Sequence, residues 1–88
     1  MNSKMQHFNH ELVLIGTRGE AAVKMMNEYL DEALLLGVKQ VRIVHGKGYG
    51  ILRKLIREQL RENQAVIGFS DEHIDLGGDG VTLVNLKV

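Results

Sequence analysis

The sequence predicts an α/β sandwich (an α+β domain) of order β-α-β-α-β-β, a four-stranded mixed sheet with two helices. Three observations carry that expectation. Short apolar runs suited to strands alternate with two segments whose apolar residues recur at spacings of three and four, as helices require. Glycine clusters mark the joints of a chain that contains no proline. A length of 88 residues, 44% hydrophobic and 25% charged, suits one small soluble domain and argues against disorder.

Residues 1–10 (MNSKMQHFNH) are polar and aperiodic and read as a flexible lead or linker remnant, which leaves residues 11–88 as the domain. Glu11–Ile15 (ELVLI) is a continuous apolar run expected as a buried strand, closed by Gly16. Thr17 and Glu20 have the spacing of a capping box, the hydroxyl accepting from the Glu20 N–H while the carboxylate reaches back. The helix they open places Ala22, Val23, Met26, Leu30, Ala33 and Leu34 on one face and stops at Gly37.

Gln40–Val44 is the second strand, and Ile51–Glu62 the second helix. Its apolar stripe is Leu52, Leu55, Ile56 and Leu60, or Ile51, Leu55 and Gln59 on a neighbouring line. Ala65–Phe69 reads as a third strand weakened by Gly68, Asp71–Gly80 as an acidic, glycine-rich loop, and Val81–Leu86 as a fourth strand. A right-handed helical crossover makes the first two strands parallel. The last two, joined through the acidic loop, suit an antiparallel hairpin.

Eleven Lys and Arg balance eleven Asp and Glu, which on its face argues against a polyanion partner. The distribution says otherwise. Between Val38 and Arg61 seven cations (Lys39, Arg42, Lys47, Arg53, Lys54, Arg57 and Arg61) face one anion, Glu58. That block carries +6 and the remainder −6. Without cysteine there is no disulfide framework, thiolate nucleophile or cysteine-held zinc. No apolar run approaches the roughly 18 residues that span a bilayer, and no signal-peptide core is present, so a cytoplasmic location and no membrane partner are the default expectations. The chain is also too short to hold an ATPase engine. It is a standalone module or part of something larger.

The loop His45-Gly46-Lys47-Gly48-Tyr49-Gly50 is the most informative stretch. A strand, three alternate glycines and a helix start bring unhindered backbone N–H groups and the positive helix terminus to one point, where an anion can approach. Lys47 adds a mobile cation and His45 an imidazole. The spacing is neither a Walker loop nor a dinucleotide fingerprint, and the glycines equally suit a tight turn alone.

Arg53, Arg57 and Arg61 recur every four residues with Lys54 beside them, a cationic stripe able to track a phosphate backbone. A solvated face is the alternative, with Glu58 pairing Lys54 and Arg61. Tyr49 could stack on an exposed base or plug the loop onto the core. Asp71-Glu72-His73-Ile74-Asp75 offers metal-type ligands, but short acidic loops are far more often ordinary soluble surface. His7 and His10 lie in the lead and carry no argument. Ser3 and Ser70 are the only serines, and neither suggests a nucleophile–base arrangement.

The run Val41-Arg42-Ile43-Val44-His45-Gly46-Lys47-Gly48-Tyr49-Gly50-Ile51-Leu52-Arg53-Lys54 resembles the signature of Smr (small MutS-related) domains, with its HGKG loop and following L-R-K helix. Gly77-Gly78-Asp79-Gly80-Val81-Thr82 is similar to that family's closing GGDGVT, and Asp31-Glu32-Ala33-Leu34 before Gly37 matches its first helix. The likeness covers residues 11–86, and Gly16-Thr17-Arg18 looks most like the Smr domain at the C-terminus of MutS2 proteins, whose ATPase portion would be a partner in a longer chain.

The resemblance implies a fold similar to the C-terminal domain of a bacterial translation initiation factor. It implies binding of DNA (branched or duplex), RNA or the ribosome, a role in recombination control or ribosome rescue, and nicking endonuclease activity in several members. Its implied nucleic-acid-binding residues are Arg18, His45, Gly46, Lys47, Gly48, Tyr49, Gly50, Arg53, Lys54, Arg57 and Arg61.

One strand departs from the family pattern. Where L-D-L-H-G or L-D-L-R-G is usual, this chain reads Leu12-Val13-Leu14-Ile15-Gly16. Val13 can neither bind a metal nor act as a base. His45, as a proton shuttle, and Lys47, stabilising charge on a phosphate, remain for cleavage, with Asp79 or the acidic loop placing Mg²⁺ or Mn²⁺ only if the domain is a nuclease. No other cofactor is expected. Three functions therefore stand: nucleic-acid binding, nicking, and docking to an acidic protein surface.

Overall fold

The computed structural model describes residues 8–88; residues 1–7, which hold most of the expected lead and His7, lie outside the described residues. The elements are β1 (Glu11–Val13), α1 (Gly19–Leu35), β2 (Gln40–Val44), α2 (Ile51–Glu62), β3 (Val66–Asp71) and β4 (Val81–Leu86). Two short 3₁₀ turns, Ile74–Leu76 and Gly78–Gly80, fill the acidic loop. The sheet order is β1-β2-β4-β3, with β1 parallel to β2 and β4 antiparallel to both its neighbours. The expected hairpin is therefore present, and its second strand inserts between β2 and β3.

Alternation along the strands sets the layers. Val41 and Ile43 on β2, and Thr82, Val84 and Leu86 on β4, share the face that packs on the helices. Ala22, Met26, Leu30 and Ala33 of α1 and Ile56 and Leu60 of α2 close the same core. The helices touch where Gly19 faces Leu55, since a Cβ on Gly19 would lie 2.9 Å from Leu55 Cδ2. Burying a Leu or Ile side chain contributes about 1.5–3 kcal/mol, so this one cluster supplies most of the stability. The opposite face of the sheet is polar at its centre. There Arg42 pairs with Glu11 at 3.2 Å and with Glu72, and donates to the Leu76 carbonyl.

Several expectations need correcting. The run Glu11–Ile15 is not buried throughout: β1 ends at Val13, Leu14 is fully buried, and Val13 and Ile15 are 53% and 60% exposed. An edge strand covered on one face alternates, however apolar its sequence. The Thr17–Glu20 capping box does not form; Arg18 occupies the N-cap position without a side-chain bond, and the Thr17 N–H turns back to the Leu14 carbonyl. The other end of α1 is as expected. Gly37, at φ +72°, donates to Leu34 O, and Val38 donates to Ala33 O, the paired bonds of a Schellman stop.

Ile51 is 75% exposed, so the stripe of α2 runs through Leu52, Ile56 and Leu60. β3 lies slightly later than Ala65–Phe69 and absorbs an irregularity between Val66 and Gly68. Residues Phe8–His10 of the expected lead are tied down: Phe8 stacks on Tyr29 at 5.2 Å, the Tyr29 hydroxyl donates to Asn9 O, and the Arg42 N–H donates to His10 O. Among the described residues no helix is long and apolar enough to cross a membrane.

Candidate nucleic-acid interface

Register decides what meets at one edge of the sheet. Val13 pairs with Val44, Val44 with Val81, and Asp71 with Thr82, so the ends of β1, β2 and β3 and the start of β4 lie together. The loops at residues 14–18, 45–50 and 72–80 therefore converge at the carboxyl ends of the parallel strands, where sheets of this kind take ligands. The two glycine clusters bond directly. The His45 and Gly46 N–H groups both donate to the Gly80 carbonyl, at 3.1 and 2.9 Å. The approach is close: a Cβ on Gly80 would lie 3.2 Å from Lys47 Cγ and 3.4 Å from the Gly46 carbonyl carbon, so the Lys47 side chain would have to give way slightly.

Past this contact the chain turns sharply into α2. Gly46, Gly48 and Gly50 have φ of +80°, +38° and +78°, values that side chains resist. Gly50 is the N-cap of α2 and offers no side chain to cap it. The first helical bond runs from the Lys54 N–H to the Gly50 carbonyl at 3.0 Å. The N–H groups of Ile51, Leu52 and Arg53 therefore point out of the helix start without a helical acceptor, at its partially positive end.

His45 sits beneath the loop rather than at its mouth. It is 5% exposed, its Nδ1 lies 2.9 Å from the Gly46 carbonyl, and its Nε2 lies 2.7 Å from Thr82 Oγ1. A carbonyl only accepts, so Nδ1 carries the proton. Burial, together with the charges of Arg57 and Arg53, holds the imidazole pKa below its ordinary value and keeps the ring neutral. Nε2 then accepts the Thr82 hydroxyl proton, while Thr82 Oγ1 accepts from Arg57 Nε at 3.2 Å. One chain of hydrogen bonds thus joins the loop, the central strand and α2. In this arrangement the ring has no free nitrogen to offer a substrate.

The cationic stripe is partly answered by the acidic loop. Arg53 and Arg57 both donate to Asp71 Oδ1, Arg53 at 2.9 Å, and this holds the Asp71 carboxyl below the usual carboxylate range. The Arg57 and Arg61 guanidinium groups stand over the Phe69 ring, 5.1 and 5.4 Å from its centre. Lys47 lies 3.8 Å from Asp79. Arg18, Lys54 and Arg61 are exposed and make no ion pair among the described residues. The expected pairing of Glu58 with Lys54 and Arg61 does not form. Arg53 Nε is buried without a hydrogen-bond partner. Tyr49 is 99% exposed and plugs nothing.

Sequence reasoning missed Thr82 and Phe69. Thr82 had a signal: it shares the strand phase of Val84 and Leu86, so a polar group was due on the buried face. Phe69 had none, since its role depends on α2 crossing β3.

The ligand-type side chains at residues 71–73 are engaged within the protein. Asp71 binds arginines, Glu72 binds Arg42, and His73 Nδ1 accepts from the Asp75 N–H at the start of the 3₁₀ turn. Among the described residues no group of three or more His, Asp or Glu is placed to hold a metal.

A family model, described as Smr domain, matches residues 12–87. This chain belongs to the Smr domain family. It is 47% identical over 75 residues to a Helicobacter pylori protein named Endonuclease MutS2, covering 85% of this chain and 10% of that protein. A Geobacillus protein of the same name is 42% identical over 87 residues, covering 99% of this chain and 11% of that one. The Smr domain thus spans about a tenth of these curated relatives.

The crystal structure of the Smr domain of Thermus thermophilus MutS2 superposes with a TM-score of 0.87 at 41% identity, covering 89% of this chain and 98% of that one. YdaL, a stand-alone small MutS-related protein from Escherichia coli, matches with a TM-score of 0.85 at 28% identity, covering 90% of this chain and 65% of its own.

The depressed pKa of the buried His45 should make this Smr domain acid-sensitive. Its depressed pKa means the unfolded chain takes up the proton first, so stability is full above about pH 6.5 and falls as pH drops below it, by at most about 1.4 kcal/mol per pH unit from this group. Urea denaturation at pH 7.5 and 5.5 should show that loss, and His45→Gln should flatten it.

Proposed function

We propose that this Smr domain binds nucleic acid by its phosphate backbone, through the loop at residues 45–50, the start of α2 and the cations along that helix. The observation that carries the reading is three N–H groups without helical acceptors at the start of α2, with Lys47 and Arg53 lining the same hollow and Lys54, Arg57 and Arg61 following along the helix. Asp71 supports it by analogy. A carboxylate receives bonds from both Arg53 and Arg57, and a phosphate offers the same acceptor geometry with more charge. Exposed ion pairs of this type contribute about 0–1 kcal/mol, so a polyanion can displace them. Arg18 extends the same edge from the β1–α1 loop.

In a longer MutS2-type chain such a module would deliver the ATPase portion to branched DNA or to ribosomal RNA, which is how recombination control or ribosome rescue would use it. Binding should be strongly salt-dependent. Neutralising about four phosphates gives log K against log salt a slope of about −3 to −4 on duplex. Lys47→Ala combined with Arg53→Ala should weaken binding and bring the slope nearer −2 in fluorescence anisotropy. Affinity indifferent to salt, or to both substitutions, would overturn the reading.

Cleavage is the second reading, favoured by the name Endonuclease MutS2 that the relatives carry. It would ask His45 to leave its bonds to Gly46 and Thr82, and Lys47 to leave Asp79, before either could serve a reacting phosphate. With Val13 in place of an acid, we assign His45 a positioning role. Supercoiled plasmid incubated with the domain, with and without Mg²⁺ or Mn²⁺, should then yield no more nicked circles than a His45→Ala control; an excess that the control lacks would place cleavage at this loop.

A further inference from the structure

The loop carries something that a phosphate does not require. Tyr49 is 99% exposed, and Ile51, two residues on, is 75% exposed. The remaining described aromatic rings of Phe and Tyr are all engaged: Phe8 stacks on Tyr29, and Phe69 lies under two guanidinium groups. Tyr49 alone stands free in solvent. It is also held out. Positive φ at Gly48 and Gly50 and the 3.0 Å bond from the Gly50 N–H to the Lys47 carbonyl close a tight turn with Tyr49 on its crest. Folding gains nothing from this ring, and exposing it forgoes the burial that an aromatic side chain ordinarily supplies.

Its neighbours indicate a use. Residues 45–53 line one hollow, so Tyr49 belongs to the same loop as the N–H groups at the start of α2, with Lys47 and Arg53 on either side in sequence. An aromatic residue beside cations and backbone N–H groups is the pairing by which single strands are held, one group taking the backbone and the other a base. Phosphate contacts position a ligand without distinguishing its strandedness. A ring projecting from the same loop does distinguish it, because a base inside a continuous duplex has both faces covered by its neighbours.

We propose that Tyr49 stacks on an unpaired base next to the phosphate held at the start of α2, so that this Smr domain prefers single-stranded or splayed segments over continuous duplex. The inference rests on the phosphate-binding reading above and adds the class of ligand that reading leaves open. It predicts that affinity depends on the base as well as on charge, and that any flat aromatic ring at residue 49 serves.

The test compares four labelled probes by fluorescence anisotropy at one salt concentration: a 12-mer of thymidylate, a 12-mer of uridylate, a 12-mer strand of abasic sugar-phosphate units, and a blunt 12-base-pair duplex. The wild-type domain should bind the thymidylate or uridylate strand more tightly than the abasic strand and the duplex. Tyr49→Ala should weaken binding of the base-bearing strand by about 5- to 150-fold, the range for loss of one stacked base. Its effect on the abasic strand should be below about twofold. Tyr49→Trp should retain affinity, and its indole emission should be quenched by the base-bearing strand and not by the abasic one.

Equal weakening on base-bearing and abasic strands, or no weakening on either, would overturn the stacking role while leaving salt-dependent phosphate binding intact. Absence of salt-dependent binding to every probe would overturn both readings together.

Discussion

The Thr82 hydroxyl joins the three parts from which the interface is built. It gives its proton to His45 Nε2 and accepts one from Arg57 Nε, and the other side of the His45 ring donates to the Gly46 carbonyl. Thr82 belongs to the central strand β4, His45 begins the glycine loop, and Arg57 lies on α2. The bond to His45 is buried, so losing one partner leaves the others without water to replace it, at a cost of about 1–3 kcal/mol for each stranded group. Loop and helix are thereby fixed relative to the core, and Arg57 is aimed toward the edge where the loops converge.

Charge is arranged on the same plan. Net neutrality conceals a basic block and an acidic remainder, and folding brings parts of the two together through Asp71 at the end of β3 and Glu72 and Asp79 of the loop that follows. Asp71 takes the place at Arg53 and Arg57 that a phosphate could take, while Lys54, Arg61 and Arg18 make no ion pair among the described residues. A partly self-answered cationic edge limits indiscriminate adhesion and yields to a ligand with many charges, because exposed pairs are individually weak.

Much of this was legible in the chain. Both helices, the parallel first pair of strands and the closing hairpin follow from periodicity and crossover rules, and the glycine loop with its cationic helix is visible in the order of residues 45–61. The errors share one cause, that environment overrides local pattern. Val13 and Ile15 look like core yet lie on the uncovered side of an edge strand, and Thr17 has cap spacing but is drawn into a turn with Leu14. The place of His45 beneath the loop, bonded to Gly46 and Thr82, was hidden too, since only the register of Ile43 against Thr82 reveals it. The bond between Gly80 and the His45–Gly46 amides was equally hidden, since Gly80 lies 34 positions after Gly46 and only the sheet order brings them together.

The most direct test of this account removes the hydroxyl and keeps the shape. Thr82→Val and Thr82→Ser would each be measured twice, by urea denaturation and by anisotropy with a labelled thymidylate 12-mer. Thr82→Val should lose about 1–3 kcal/mol of stability and, under conditions where it remains folded, bind several-fold more weakly, while Thr82→Ser should keep the bonds and most of the affinity. A folded Thr82→Val domain with wild-type stability and wild-type affinity would contradict it.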